Sequence, residues 1–94
     1  MLDSDKTTLI TIIRRHVPEA KIFLFGSRAR GDYNPVSDID IAIDAGHALP
    51  MYLLSDIREE VEESLIPFSV DIVDMYQISK ELREQVMKDR VEWL

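Results

Sequence analysis

The stretch Asp38-Ile39-Asp40-Ile41-Ala42-Ile43 alternates apolar and acidic or small residues without a break, and nothing else constrains the fold of this 94-residue chain so tightly. A β-strand points successive side chains to opposite faces, so Ile39, Ile41 and Ile43 line one face while Asp38, Asp40 and Ala42 line the other. The isoleucines anchor the strand in a core, and the aspartates look onto an open surface. Their α-carbons lie about 6–7 Å apart on a regular strand. Both carboxylates can then reach one metal ion or bridge two. Alone, Asp-x-Asp is equally the pattern of a solvated edge strand, so the surrounding chain has to decide.

Upstream, Ile22-Phe23-Leu24-Phe25 is an unbroken apolar run ending at Gly26, which reads as a strand buried on both faces. Ser27 can cap a short helical turn through Arg28, Ala29 and Arg30, with Gly31 as its stop, so that backbone N–H groups point toward the loop mouth. A strand feeding a Gly-Ser loop is a suitable cradle for an anion. An anion cradle beside a cation site suggests phosphoryl or nucleotidyl transfer. Arg28 and Arg30 can bind phosphate or brace the loop by pairing with an aspartate, and a helical turn prevents both from pointing the same way. Asp32-Tyr33-Asn34-Pro35 is a turn or loop leading to Ser37, a residue suited to turning the chain into the strand.

The remaining elements follow from periodicity. Ser4 or Asp3 can cap a first helix running to about His16, with Leu9, Ile10, Ile13 and Val17 on its apolar side and Pro18 ending it. Leu53, Leu54, Ile57, Val61 and Leu65 mark a second long helix, with Arg58, Glu59, Glu60, Glu62 and Glu63 as its wet face and Pro67 closing it. Val70-Asp71-Ile72-Val73 is a third strand carrying an acidic residue. Asp71 and Asp74 fall on opposite faces of that strand, so only one of them can join the other carboxylates. Ser79 caps a last helix with Ile78, Leu82 and Val86 at spacings of four, and Trp93-Leu94 forms a tail. The expected architecture is an α/β (α+β) domain with a small, mixed, three-stranded sheet and helices mainly on one face.

A chain of this length makes one domain, expected to span 1–94, with no room for a separate substrate domain. Its 46% hydrophobic and 31% charged residues are those of a globular protein. The formal charge of −7 repels nucleic acid, which disfavours a stable nucleic-acid complex by the chain alone. No cysteine is present, so disulfides, thiolate metal sites and cysteine nucleophiles are excluded. The acidic N-terminus lacks a signal-peptide core and no apolar run approaches membrane-spanning length. A cytoplasmic protein without a membrane role is expected.

Gly-Ser, ten intervening residues and Asp-x-Asp, occupying residues 26 to 40, resemble the signature of the DNA polymerase beta nucleotidyltransferase superfamily. The fuller run GSRARGDYNPVSDIDI resembles the minimal nucleotidyltransferase branch, and the element order of the whole chain fits that branch. The resemblance implies that Gly26 and Ser27 hold the β- and γ-phosphates of a nucleoside triphosphate, with Arg28 nearer the triphosphate and Arg30 more structural. It implies that Asp38 and Asp40 hold Mg²⁺, with two ions in the site, and that Asp71 is the third carboxylate, since the family's own lies inside such a strand run. The reaction implied is attack of an acceptor hydroxyl on the α-phosphorus, with ATP as substrate, AMP transferred and pyrophosphate released.

Minimal nucleotidyltransferases of this look are commonly paired with a small helical protein of the HEPN type, as antitoxins that add AMP to the toxin or bind it. The resemblance therefore implies a HEPN-type partner. The rival reading is a non-catalytic module that binds a nucleotide or masks a partner. Its sequence mark is the loss of a metal aspartate, and this chain keeps all of them.

Overall fold

The structure, a computed structural model, describes residues 1–94. It contains α1 (Asp3–His16), β1 (Lys21–Phe25), α2 (Ser27–Arg30), β2 (Ile39–Asp44), α3 (Met51–Glu63), β3 (Val70–Asp74), α4 (Lys80–Asp89) and β4 (Val91–Trp93). The strands form one mixed sheet in the order β3-β2-β1-β4. β1 pairs antiparallel with β2 and with β4, and β2 pairs parallel with β3 through the α3 crossover.

The sheet has four strands where the sequence suggested three. Val91-Glu92-Trp93 is too short for alternation to reveal itself, and it becomes a strand only because Ile22, Phe23 and Leu24 offer it a pairing edge. The Arg14 guanidinium adds donors to the carbonyls of Trp93 at 3.4 Å and Leu94 at 3.5 Å. What read as a tail is therefore an edge strand with a buried Trp93.

Alternation along β2 works as expected. Ile39, Ile41 and Ile43 join Ile22 and Leu24 of β1 beneath α1 and α3, where Leu9, Ile12, Ile13, Leu54, Ile57 and Val61 complete the main core. Phe23, Phe25 and Ala42 point the other way and meet Met75 and Val86, with Leu82 and Ile78 alongside. So α4 covers part of the second face, while α1 and α3 cover the first. Ser79 caps α4 by accepting the Leu82 N–H at 3.1 Å.

Two helix ends differ from expectation. α1 starts at Asp3 rather than after a Ser4 or Asp3 cap, because the Asp5 carboxylate accepts the Leu2 N–H at 3.0 Å and pins the first turn. α3 stops at Glu63, where the Ser64 hydroxyl donates to the Val61 carbonyl and breaks the ladder before Pro67 is reached. Leu65, expected on the buried stripe, consequently lies past the helix and is 99% exposed. No helix is long and apolar enough to cross a membrane.

Candidate active site

β1 delivers the chain to Gly26 at the end of the sheet, where Phe25 is paired with Asp40 of β2. Gly26 has φ 74° and ψ −157°, a region almost reserved for glycine. A side chain is also excluded by space: a Cβ here would collide with the Asp40 carboxylate, whose Cγ would be 3.2 Å away. The glycine thus lets the backbone turn directly against a carboxylate. After it, the Ala29 and Arg30 amides donate to the Gly26 carbonyl, and Gly31 (φ 85°) ends the turn by donating to the Ser27 carbonyl. The amides of Ser27 and Arg28, first in the turn, take no partner within the chain.

Asp40 faces the same side of the sheet as Asp71, because these two residues are register partners across the parallel β2–β3 pair. The Ile39 amide donating to the Ser69 carbonyl at 2.9 Å locks that register where the strands begin. Asp38 immediately precedes β2 and is exposed. Burial pushes the Asp40 carboxyl above the usual carboxylate range, and the charges of Asp71 and Asp38 push it further, while Arg30 draws it back. Three carboxylates therefore feel one another. They do not close into a preformed three-ligand metal cluster. Their hard oxygen donors and mutual repulsion suit a divalent cation of the Mg²⁺ kind.

Asp74 is committed elsewhere. It is 2% exposed and accepts from the Leu49 amide at 2.7 Å, the Tyr76 amide at 2.9 Å and the Gln77 side chain at 2.6 Å. It ties the α3 approach to the end of β3 and leaves Asp71 as the carboxylate beside Asp40.

The two arginines, Arg28 expected nearer the triphosphate and Arg30 expected to be the more structural, are both held by partners within the chain. Arg28 is buried, with its Nε and one terminal nitrogen donating to the Ser37 carbonyl at 3.1 and 2.9 Å. Its guanidinium lies 4.8 Å from the Tyr33 ring centre and 4.6 Å from that of Phe68. Arg28 therefore clamps the loop that leads into Asp38. Arg30 is the half-exposed one, paired with Asp32 at 3.2 Å and Asp89 at 2.8 Å, and its charge reaches Asp40. Tyr33 and Phe68, which flank the Arg28 guanidinium in space, both lie downstream of it in the chain, Phe68 by 40 residues, so no local pattern marks Arg28. Which arginine turned inward depends on the packing of a loop that periodicity does not describe.

Comparison with known proteins places this geometry in context. A family model described as polymerase beta, nucleotidyltransferase matches residues 7–92. A probable protein adenylyltransferase, MntA, of Haemophilus influenzae is 33% identical over 78 residues, covering 83% of this chain and 68% of the relative. The protein adenylyltransferase MntA of Shewanella oneidensis is 31% identical over 88 residues, and the alignment covers 93% of this chain but 63% of that protein. Among solved structures, a toxin-antitoxin complex with AMP-PNP superposes with a TM-score of 0.79 at 30% identity, covering 94% of this chain and 72% of that one. The MNT antitoxin bound to the tri-AMPylated HEPN toxin of Shewanella oneidensis superposes at 0.77 with 27% identity, covering 99% and 72% respectively.

Proposed function

The chain belongs to the polymerase beta nucleotidyltransferase family, and from that membership we propose that it transfers AMP from ATP to a hydroxyl group of a partner protein. The observation that carries the reading is the register pairing of Asp40 with Asp71 directly against Gly26. It sets a carboxylate pair beside a glycine turn whose first amides are free. An anion and the cation that neutralises it can thus be held by the same few residues.

In this reading the Ser27 and Arg28 amides and the Arg30 guanidinium receive the triphosphate. Asp40 and Asp71, with Asp38 at the head of the strand, hold Mg²⁺. When bound, the metal neutralises the triphosphate and stabilises the charge that develops on the attacking and leaving oxygens. The acceptor hydroxyl oxygen forms a bond to the α-phosphorus as the bond from that phosphorus to the bridging oxygen breaks, and pyrophosphate departs with the electron pair. Asp71, the more exposed of the paired carboxylates, takes the hydroxyl proton. Arg28 works at a distance by fixing the Ser37 carbonyl next to Asp38.

The proposed acceptor is a HEPN-type helical protein, with this chain as the antitoxin of the pair. The support is the likeness to complexes of that kind and to relatives named protein adenylyltransferases. The test is incubation of the purified chain and its co-purified partner with Mg²⁺ and ATP labelled on the α-phosphate, followed by mass analysis. Label on the partner as added AMP, lost in Asp40→Asn, is expected. Absence of label from every co-purifying protein with the parent chain overturns the transfer reading.

A further inference from the structure

Asp89, in the last turn of α4, takes no part in the chemistry described above, and its side chain is only 2% exposed. A carboxylate so enclosed is costly to keep ionised unless donors surround it. Gln85 donates to it from one turn back at 2.8 Å, and Arg30 donates at 2.8 Å. The Gln85 donation is the largest influence holding the Asp89 carboxyl below its ordinary range. Burial opposes it, and Arg30 and the Gly26 amide add to it. Gly26 opens the glycine turn and Arg30 is the last residue of α2. One carboxylate with a nearly covered side chain, brought by an element 59 residues further along, therefore grips the Arg30 end of the segment that is to receive the phosphates.

Arg30 has a second partner in Asp32, but the Asp32 side chain is 62% exposed and only two residues away. Such an exposed pair fixes little. The shorter of its two contacts comes from the α4 side, 2.8 Å to Asp89 against 3.2 Å to Asp32, and its charge draws down the Asp40 carboxyl. Without Asp89, Arg30 keeps only a solvated partner, and no other side-chain hydrogen bond or ion pair joins α4 to the turn.

We propose that Asp89 is a positioning residue of the transfer site: it braces the Gly26–Arg30 turn at its Arg30 end and fixes the Arg30 guanidinium that is to receive the triphosphate charge. This rests on the nucleotidyl-transfer reading. It gives α4 a role beyond covering Phe23, Phe25 and Ala42, and it makes the loop's shape depend on the last turn of a distant helix.

The test has two arms. In the first, without ligand, amide hydrogen exchange is compared between the parent, Asp89→Ala and Asp89→Asn, with the β2 amides as internal reference. Exchange of the bonded Ala29, Arg30 and Gly31 amides is expected to quicken roughly tenfold in Asp89→Ala while β2 is unchanged, with Asp89→Asn between the two. Unchanged exchange overturns the proposal. If Asp89→Ala does not fold, Asp89→Asn decides alone.

In the second arm, calorimetry measures Mg²⁺ and AMP-PNP binding by the parent, Asp89→Asn, Arg30→Ala and the double variant. Each single change is expected to weaken binding by roughly tenfold, with the double variant no weaker than Arg30→Ala. Additive losses would show that Asp89 does not act through Arg30, and overturn the proposal. If the parent itself binds no AMP-PNP, the nucleotidyl-transfer reading falls, and the exchange arm alone judges the hold of Asp89 on the turn.

Discussion

On one face of the sheet, Ile22, Leu24, Ile39, Ile41 and Ile43 lie under α1 and α3 within a cluster of 16 buried residues; on the other, Phe23, Phe25 and Ala42 meet α4 in a cluster of 5. The same strands supply both faces, and alternation alone separates them. Beyond the small cluster, the second face ends in Asp40 and Asp71, side by side, with Asp38 nearby. Hydrophobic burial is concentrated on the face away from the carboxylates, whose mutual repulsion helps raise the Asp40 carboxyl at the open end of the sheet. Stability and chemistry are divided between two sides of one layer.

The comparison breaks most readily on the closed side. Ile41 is fully buried, and Ile41→Ala is expected to cost about 2–5 kcal/mol by urea unfolding. AMP-PNP binding per folded molecule should stay close to parental, since the lost atoms point away from the carboxylates. Next comes Gly26→Ala, which forces a side chain into a glycine-only conformation and against Asp40. A loss of about 1–3 kcal/mol is expected, together with a fall in nucleotide affinity that the stability loss alone does not explain.

Asp40→Asn should change stability in the opposite direction. Because the Asp40 carboxyl is raised in the folded chain, folding takes up protons, and its contribution is fully present below the unfolded carboxylate pKa and lost as pH rises through the raised one. Removing the charge should therefore stabilise the metal-free chain at neutral pH, by at most about 1 kcal/mol given the half-exposed setting. That gain should fade as pH falls through the carboxylate range, and transfer activity should be lost. Parallel thermal melts of parent and variant across that range check the sign. Smallest of all, Leu65→Ser removes an apolar side chain that is almost wholly in water, and a change within about 0.5 kcal/mol is expected.

The sequence revealed this division better than it revealed its details. Alternation from Asp38 to Ile43 needs no tertiary information, and neither does the glycine after an apolar strand, so the carboxylates and the turn were readable directly. β4 was not, since three residues carry no period and become a strand only through the edge of β1. Leu65 continued the helical spacing of α3, but Ser64 ended the helix through a local side-chain bond that outcompetes it. Arg28 and Arg30 are equivalent in composition and differ only in what the fold brings to them: two aromatic rings and a carbonyl for one, Asp89 for the other. Local pattern specifies faces and turns, whereas long-range packing assigns partners.

The most direct test of an open face built to receive a metal–triphosphate is the thermal stabilisation given by Mg²⁺ with AMP-PNP to the parent, Asp40→Asn and Asp71→Asn. A ligand binding only the folded state at about a hundred times its Kd stabilises by roughly 2.7 kcal/mol. A rise in Tm for the parent that needs both Mg²⁺ and nucleotide, and is absent from the two variants, is the predicted result. Equal stabilisation of all three proteins, or none in the parent, would contradict it.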